Sequence, residues 1–157
     1  MNPPNVVPAI QLKRINPFDP ETAGYVPEVN RRMLKLAKDS GVQKFDSLVK
    51  YWWTRIVAED SGLVIGGAFR GPLLVGHGVA DLMLIDQARV LYLEQVTADV
   101  PEALAIMLDW ADNWAREMSV DSIRLSVVSE RSEEVWKRIY GKYDFKIVSR
   151  VLEREVK

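Results

Sequence analysis

The chain has 157 residues, 48% of them hydrophobic and 27% charged, with a formal net charge of -1. That is the length of one domain burying roughly two-thirds of its unfolded surface, and the near-neutral balance gives no overall pull towards nucleic acid or acidic lipid. There is no cysteine and a single histidine, His77, which excludes disulfides, thiolate zinc sites, thiol nucleophiles and multi-histidine metal centres, so no metal is expected.

No apolar run approaches the ~20 residues of a membrane span. The opening MNPPNVVP lacks the charged and apolar regions of a signal peptide. No membrane association is expected, and the expected location is the cytoplasm. Residues 1–8 carry three prolines, which predicts an extended arm, and residues 9–157 are predicted to form a single domain. A free arm of this kind frays, so the domain itself or a neighbouring chain is expected to hold it.

Ala9 to Ile15 alternates as a first strand, and Asn16-Pro17 with Asp19-Pro20 marks a turn. A helical pattern starts at Pro27, with Val29, Met33, Leu34 and Leu36 or Ala37 on one face, and stops at Gly41. A second helix begins near Asp46 or Ser47 and uses Leu48, Trp52 and Ile56, with Val49 and Trp53 alongside. The run Tyr51-Trp52-Trp53 cannot all face inward on a helix, so at least one ring is expected at a surface.

Leu63 to Phe69 and Leu73 to Ile85, joined by Arg70-Gly71-Pro72, predict an antiparallel hairpin. Gly66, Gly67, Gly76 and Gly78 thin these strands but form no GxGxxG or Walker sequence, so they receive no phosphate-binding role. His77 lies between two of them and reads as a structural residue. After the turn at Asp86-Gln87, Val90 to Val96 has apolar residues on both faces, as a central, doubly covered strand requires. Glu94 and Gln95 interrupt it, and partial desolvation there would raise a carboxylate, as a general base needs, although a satisfied structural hydrogen bond accounts for such a residue equally well.

The helix from Pro101 shows a face of Leu104, Met107, Leu108, Ala111, Trp114 and Met118, with Asp99 expected to cap it and Glu102 in its first turn. A strand from Ser122 to Val128 follows. Next come a helix capped by Ser132 through Val135, Trp136, Ile139 and Tyr140, and a last strand from Phe145 to Val156. The fold class is α/β (α+β), in the order β-α-α-β-β-β-α-β-α-β. Its sheet is mixed and mostly antiparallel, with a central parallel pair.

From Ile10 to the C-terminus, that order resembles the GNAT (Gcn5-related N-acetyltransferase) fold. The most specific piece is DSIRLSVVSERSEEVWKRIYGKYDFKIVSRVLERE. It is similar to the family ending in which a helix carries Asn-x-x-Ala-x-x-x-Tyr before Gly-Phe and a final strand. Tyr140 matches the family tyrosine and Phe145 the phenylalanine. The departures are Glu133 for asparagine, Trp136 for alanine and Asp144 for glycine. The family's pyrophosphate loop, (Gln/Arg)-x-x-Gly-x-(Gly/Ala), falls on Val100-Pro101-Glu102-Ala103-Leu104-Ala105, where only Ala105 fits.

The resemblance implies transfer of an acetyl group from acetyl-CoA to an amine on a small molecule or a protein. Glu94, or a water it orders, would be the base and Tyr140 the acid that protonates the leaving thiolate. Val96 and Thr97 would hold the pantetheine, and Val100, Ala103 and Ala105 the pyrophosphate. Trp52 and Trp53 would line the approach of the amine. The alternative is a GNAT-fold protein without the cofactor, acting as a structural or interaction subunit. In that reading it is similar to acetyltransferase-like proteins of some bacteriophages, with a place in the virion, and a protein partner or a homo-oligomer is expected. Nucleic-acid binding rests only on small clusters such as Arg31-Arg32 and Lys137-Arg138, which solvated helix faces explain more simply.

Overall fold

The computed structural model describes residues 7–125, 133–146 and 154, without the side chains of 133–136. The chain divides into two compact units, residues 1–126 and 127–157. The first six residues of that arm, the cap at Ser132, the Trp136 side chain and most of the last strand lie outside the described residues.

Among the described residues, the first unit is built on a five-stranded sheet in the order β1-β2-β3-β4-β5. Its strands are β1 (Ile10–Arg14), β2 (Leu63–Arg70), β3 (Leu73–Ile85), β4 (Ala88–Ala98) and β5 (Ser122–Leu125). The first three pairings are antiparallel, whereas β4 and β5 run parallel from Val90↔Ser122 to Leu93↔Leu125. The strand predicted to Val128 is described only as far as Leu125.

Local chemistry explains the turns. Gly71 has φ of 59° and is followed by Pro72, which fixes a tight β2–β3 turn that a Cβ at Gly71 would strain. Asp86 and Gln87 take φ of 50° and 67° between the paired Ile85 and Ala88, as a type I′ hairpin requires.

Helices α1 (Val26–Asp39) and α2 (Phe45–Val57) cover one face of the sheet. Val29, Met33 and Ala37 of α1, with Val49 and Trp52 of α2, pack there against Leu63, Ile65, Phe69, Leu74 and Val79. The α2 helix begins at Phe45, slightly before the start read from the sequence. On the other face α3 (Pro101–Glu117) brings Ala103 and Met107 against Ala68 and Val75. Because both faces are covered, adjacent residues Val90 and Leu91 of β4 are each 0% exposed.

The α3 face differs from the expected one in phase. Ala103 and Ala115 are buried with Met107, Leu108, Ala111 and Trp114, while Leu104 and Met118 are only half-buried. The alanines let the helix lie close to the strands. Asp99 does not cap α3. The N-cap is Val100, which makes no side-chain cap bond, because the Asp99 carboxylate is held by Arg32 of α1.

The second unit contains α4 (Glu133–Tyr140), followed by a 3₁₀ turn at Gly141–Tyr143. No helix among the described residues is long and apolar enough to cross a membrane.

Candidate functional site

The β3–β4 ladder contains an irregularity that defines the site. Val79 pairs with Gln95, but Ala80 pairs with Leu93, so Glu94 is the extra residue of a β-bulge. Such a bulge re-aims a side chain and interrupts pairing. Glu94 is half-buried and has no hydrogen-bond or ion-pair partner among the described residues. Burial raises its pKa above the ordinary carboxylate value, the Asp81 charge raises it further, and Arg55 acts in the opposite direction.

Asp81 and Arg55 were not singled out from the sequence. Asp81, in the apolar run of β3, is 7% exposed and accepts two bonds from the Arg55 guanidinium, at 2.8 and 2.9 Å. The third guanidinium nitrogen donates to Asp60 at 2.7 Å. These bonds from Arg55, with one from the Gly62 N–H, hold the Asp60 carboxyl below its ordinary pKa. The Arg55 charge is therefore already committed, and Glu94 is left without a cation bonded to it. An acidic residue inside an otherwise apolar strand was the signal that could have flagged Asp81.

Next to the bulge lies a buried polar chain. His77 is 0% exposed. Gln95 Nε2 donates to the Met33 carbonyl at 3.0 Å, which orients Gln95 Oε1 as the acceptor facing His77 Nε2 at 2.8 Å. The network assigns the proton to Nε2. Nδ1 is then an acceptor, satisfied by the Thr97 hydroxyl at 2.7 Å. Burial pushes the His77 pKa down to about 4, against the opposing effect of the Gln95 bond. His77 is thus a neutral, fully partnered strand residue.

The other sequence-predicted residues are distributed as follows. Trp52 is 2% exposed and belongs to the core. Trp53 is half-buried, its indole donating to Asn30 at 2.8 Å. The exposed ring of the aromatic run is Tyr51, at 56%, lying beneath the Arg55 guanidinium. The Thr97 hydroxyl is occupied by His77, while Val96 packs with the α3 core.

At the start of α3, Val100 packs with the core, Ala103 is 0% exposed and Ala105 is exposed. Tyr140 lies in the second unit, where its ring meets Phe145 edge-on at 6.0 Å. Asp144 between them has φ of 65°, a left-handed conformation that glycine adopts freely and aspartate tolerates.

Three-dimensional comparison places this architecture. An aminoglycoside N-acetyltransferase, AAC(6')-Iy, solved with CoA, superposes with a TM-score of 0.68 at 11% identity, covering 99% of both chains. The chain has the GNAT fold. A protein from Clostridium acetobutylicum, described as a predicted acetyltransferase and solved with acetyl-CoA, gives a TM-score of 0.65 at 16% identity, covering 94% of this chain and 96% of the other. A transcriptional regulator from Bacillus halodurans gives 0.63 at 17% identity, covering 94% and 100%. No family model matches the sequence, and no curated protein matches it.

The GNAT fold raises the question of acetyl-CoA. Of the first-turn groups of α3, Pro101 has no N–H, the Ala103 N–H is taken by the Val100 carbonyl at 3.1 Å, and Glu102 adds an exposed carboxylate. Asp99 neutralises Arg32, which approaches from α1. A diphosphate favours free N–H groups and positive potential. These residues do not fit the pyrophosphate half of the cofactor.

Proposed function

We propose that this chain is an N-acyltransferase in which Glu94 removes a proton from an incoming amine. Glu94 itself carries the reading: it is a carboxylate raised above its ordinary pKa at a bulge of β4, with no described partner to neutralise it. An amine reaches neutral solution as an ammonium ion and must lose a proton before its nitrogen can attack a carbonyl carbon. A carboxylate raised above its ordinary pKa is a stronger base for that proton, and general-base catalysis of this kind is worth about 10²–10⁴-fold. An acyl thioester such as acetyl-CoA supplies the activated carbonyl. Tyr140, whose phenol carries an O–H donor, is the residue proposed to protonate the departing thiolate.

The test is thiol release from acetyl-CoA across a panel of primary amines. Glu94→Gln is expected to lower kcat at least 100-fold. In the unaltered protein the acidic limb of kcat/KM should lie above the ordinary carboxylate range, because the folded environment raises this group. Tyr140→Phe should lower kcat with little change in KM. Absence of thiol release with every amine, together with no heat on titration of acetyl-CoA, would overturn this reading.

A second reading, a GNAT-fold interaction subunit without the cofactor, is favoured by one observation, the start of α3. Pro101, Glu102 and the occupied Ala103 N–H oppose anion binding there.

A further inference from the structure

Between α3 and the sheet lies a cavity of about 90 Å³, on the face opposite α1 and α2. Leu12, Leu93, Met107 and Leu108 form its walls, and Gly66 and Gly78 its floor. These glycines are register partners on β2 and β3, so two facing positions lack side chains at once. A Cβ on Gly66 would meet nothing nearer than the Lys13 carbonyl at 3.8 Å, and one on Gly78 would stand 3.4 Å from the Gln95 carbonyl. Neither is the close approach seen at Gly76, where a Cβ would stand 2.6 Å from the Thr97 carbonyl. The space exists because side chains are missing, not because backbones are pressed together.

Trp110 and Arg14 also line the cavity. The Arg14 guanidinium lies 6.0 Å from the Trp110 ring centre and 5.8 Å from that of Trp114. Arg14 is exposed and has no carboxylate partner among the described residues. The cavity is smaller than the roughly 150 Å³ apolar void that admits benzene, and an apolar void of this kind is not filled by water alone. Its chemistry is an apolar chamber with a cation at the rim, oriented by two indole faces.

We propose that the cavity between α3 and the Gly66–Gly78 pair binds a short-chain aliphatic carboxylate, the chain in the chamber and the carboxylate on Arg14. This site is separate from Glu94 and stands whether or not the chain transfers acyl groups.

The test uses butanoate and 1-butanol as probes, followed through the Trp110 indole N–H by nuclear magnetic resonance on the full chain. Butanoate is expected to shift that signal saturably and to bind at least tenfold more tightly than 1-butanol. Gly66→Val fills the chamber and should abolish the response. Arg14→Met, an exposed change at the rim that leaves the core intact, should weaken butanoate at least tenfold and leave 1-butanol unaffected. No saturable Trp110 shift with butanoate would overturn the proposal, as would equal binding of the two probes or an undiminished response in Arg14→Met. If Gly66→Val does not fold, Arg14→Met decides.

Discussion

Arg32 of α1 grips Asp99, the residue two positions before α3, through two nitrogens at 3.2 and 2.9 Å. The second of these nitrogens also donates to the Leu74 carbonyl at 3.0 Å. The consequence is local: the carboxylate expected to cap α3 is drawn towards α1, and the helix starts from an uncapped valine. The two partners are unequal in burial, with side-chain exposures of 19% for Arg32 and 51% for Asp99. Asp99→Ala should therefore cost less than about 1 kcal/mol, as half-exposed ion pairs do. Arg32→Ala also removes a donor from the Leu74 carbonyl and should cost about 1–2 kcal/mol. Urea unfolding of the two variants checks this order, and equal losses would contradict it.

His77 gives a prediction in pH. Its pKa in the folded state is lowered from the ordinary 6.5 to about 4, so between these values the unfolded chain binds a proton that the folded chain refuses. The stabilising contribution is fully present above pH 6.5 and declines as pH falls towards 4. It amounts to about 3 kcal/mol in all. The direct check is the imidazole carbon-bound proton signal, which should remain that of a neutral ring until the pH approaches 4. Titration near 6.5 would remove the basis for the buried tautomer.

Arg55 and Asp81 should respond asymmetrically with Asp60. The Asp81 side chain is 10% exposed and that of Asp60 40%. Arg55→Met leaves a buried carboxylate without its cation, a loss of about 3–5 kcal/mol in comparable pairs. Asp60→Asn removes only the more exposed partner and should cost about 1 kcal/mol or less. Thermal unfolding at neutral pH distinguishes them, and similar midpoints for both variants would show that Asp81 is not held by Arg55 in solution.

Most of the fold could be read from the sequence because punctuation and periodicity agree. Gly41, Arg70-Gly71-Pro72 and Asp86-Gln87 stand at observed boundaries, and the run from Val90 supplies the doubly covered strand. What could not be read depends on register. The bulge at Glu94 decides which of its neighbours meets His77 and brings Gln95 and Thr97 to one imidazole. The Gly66–Gly78 pairing exists only once β2 and β3 are aligned. Alanine misled the phase of α3, since its small apolar surface weighs little in a periodicity count but permits close packing. Within Tyr51-Trp52-Trp53 the pattern requires one ring at the surface, but the packing of α1 and α2 determines that it is Tyr51.

The start of α3 supplies the remaining prediction, which rests on the proposed thioester chemistry. Glu102 is exposed in the first turn, Pro101 brings no N–H, and the Ala103 N–H is bonded to Val100. A diphosphate at this helix start would meet a negative charge and few free donors, so the donor's nucleotide half should contribute little to binding. Acetyl-pantetheine should then serve nearly as well as acetyl-CoA, with KM values within about threefold, a difference of less than 1 kcal/mol. Glu102→Arg reverses the charge at the N-terminus of α3 on an exposed site. It should lower KM for acetyl-CoA about tenfold, since one opposite charge at an effective dielectric near 20 is worth up to about 4 kcal/mol before solvent screening, and it should leave acetyl-pantetheine unchanged. Steady-state kinetics with both donors at low and high salt checks the pair of expectations. A large preference of the unaltered chain for acetyl-CoA would show that the nucleotide is gripped elsewhere, and the helix start would then have no part in selecting the donor.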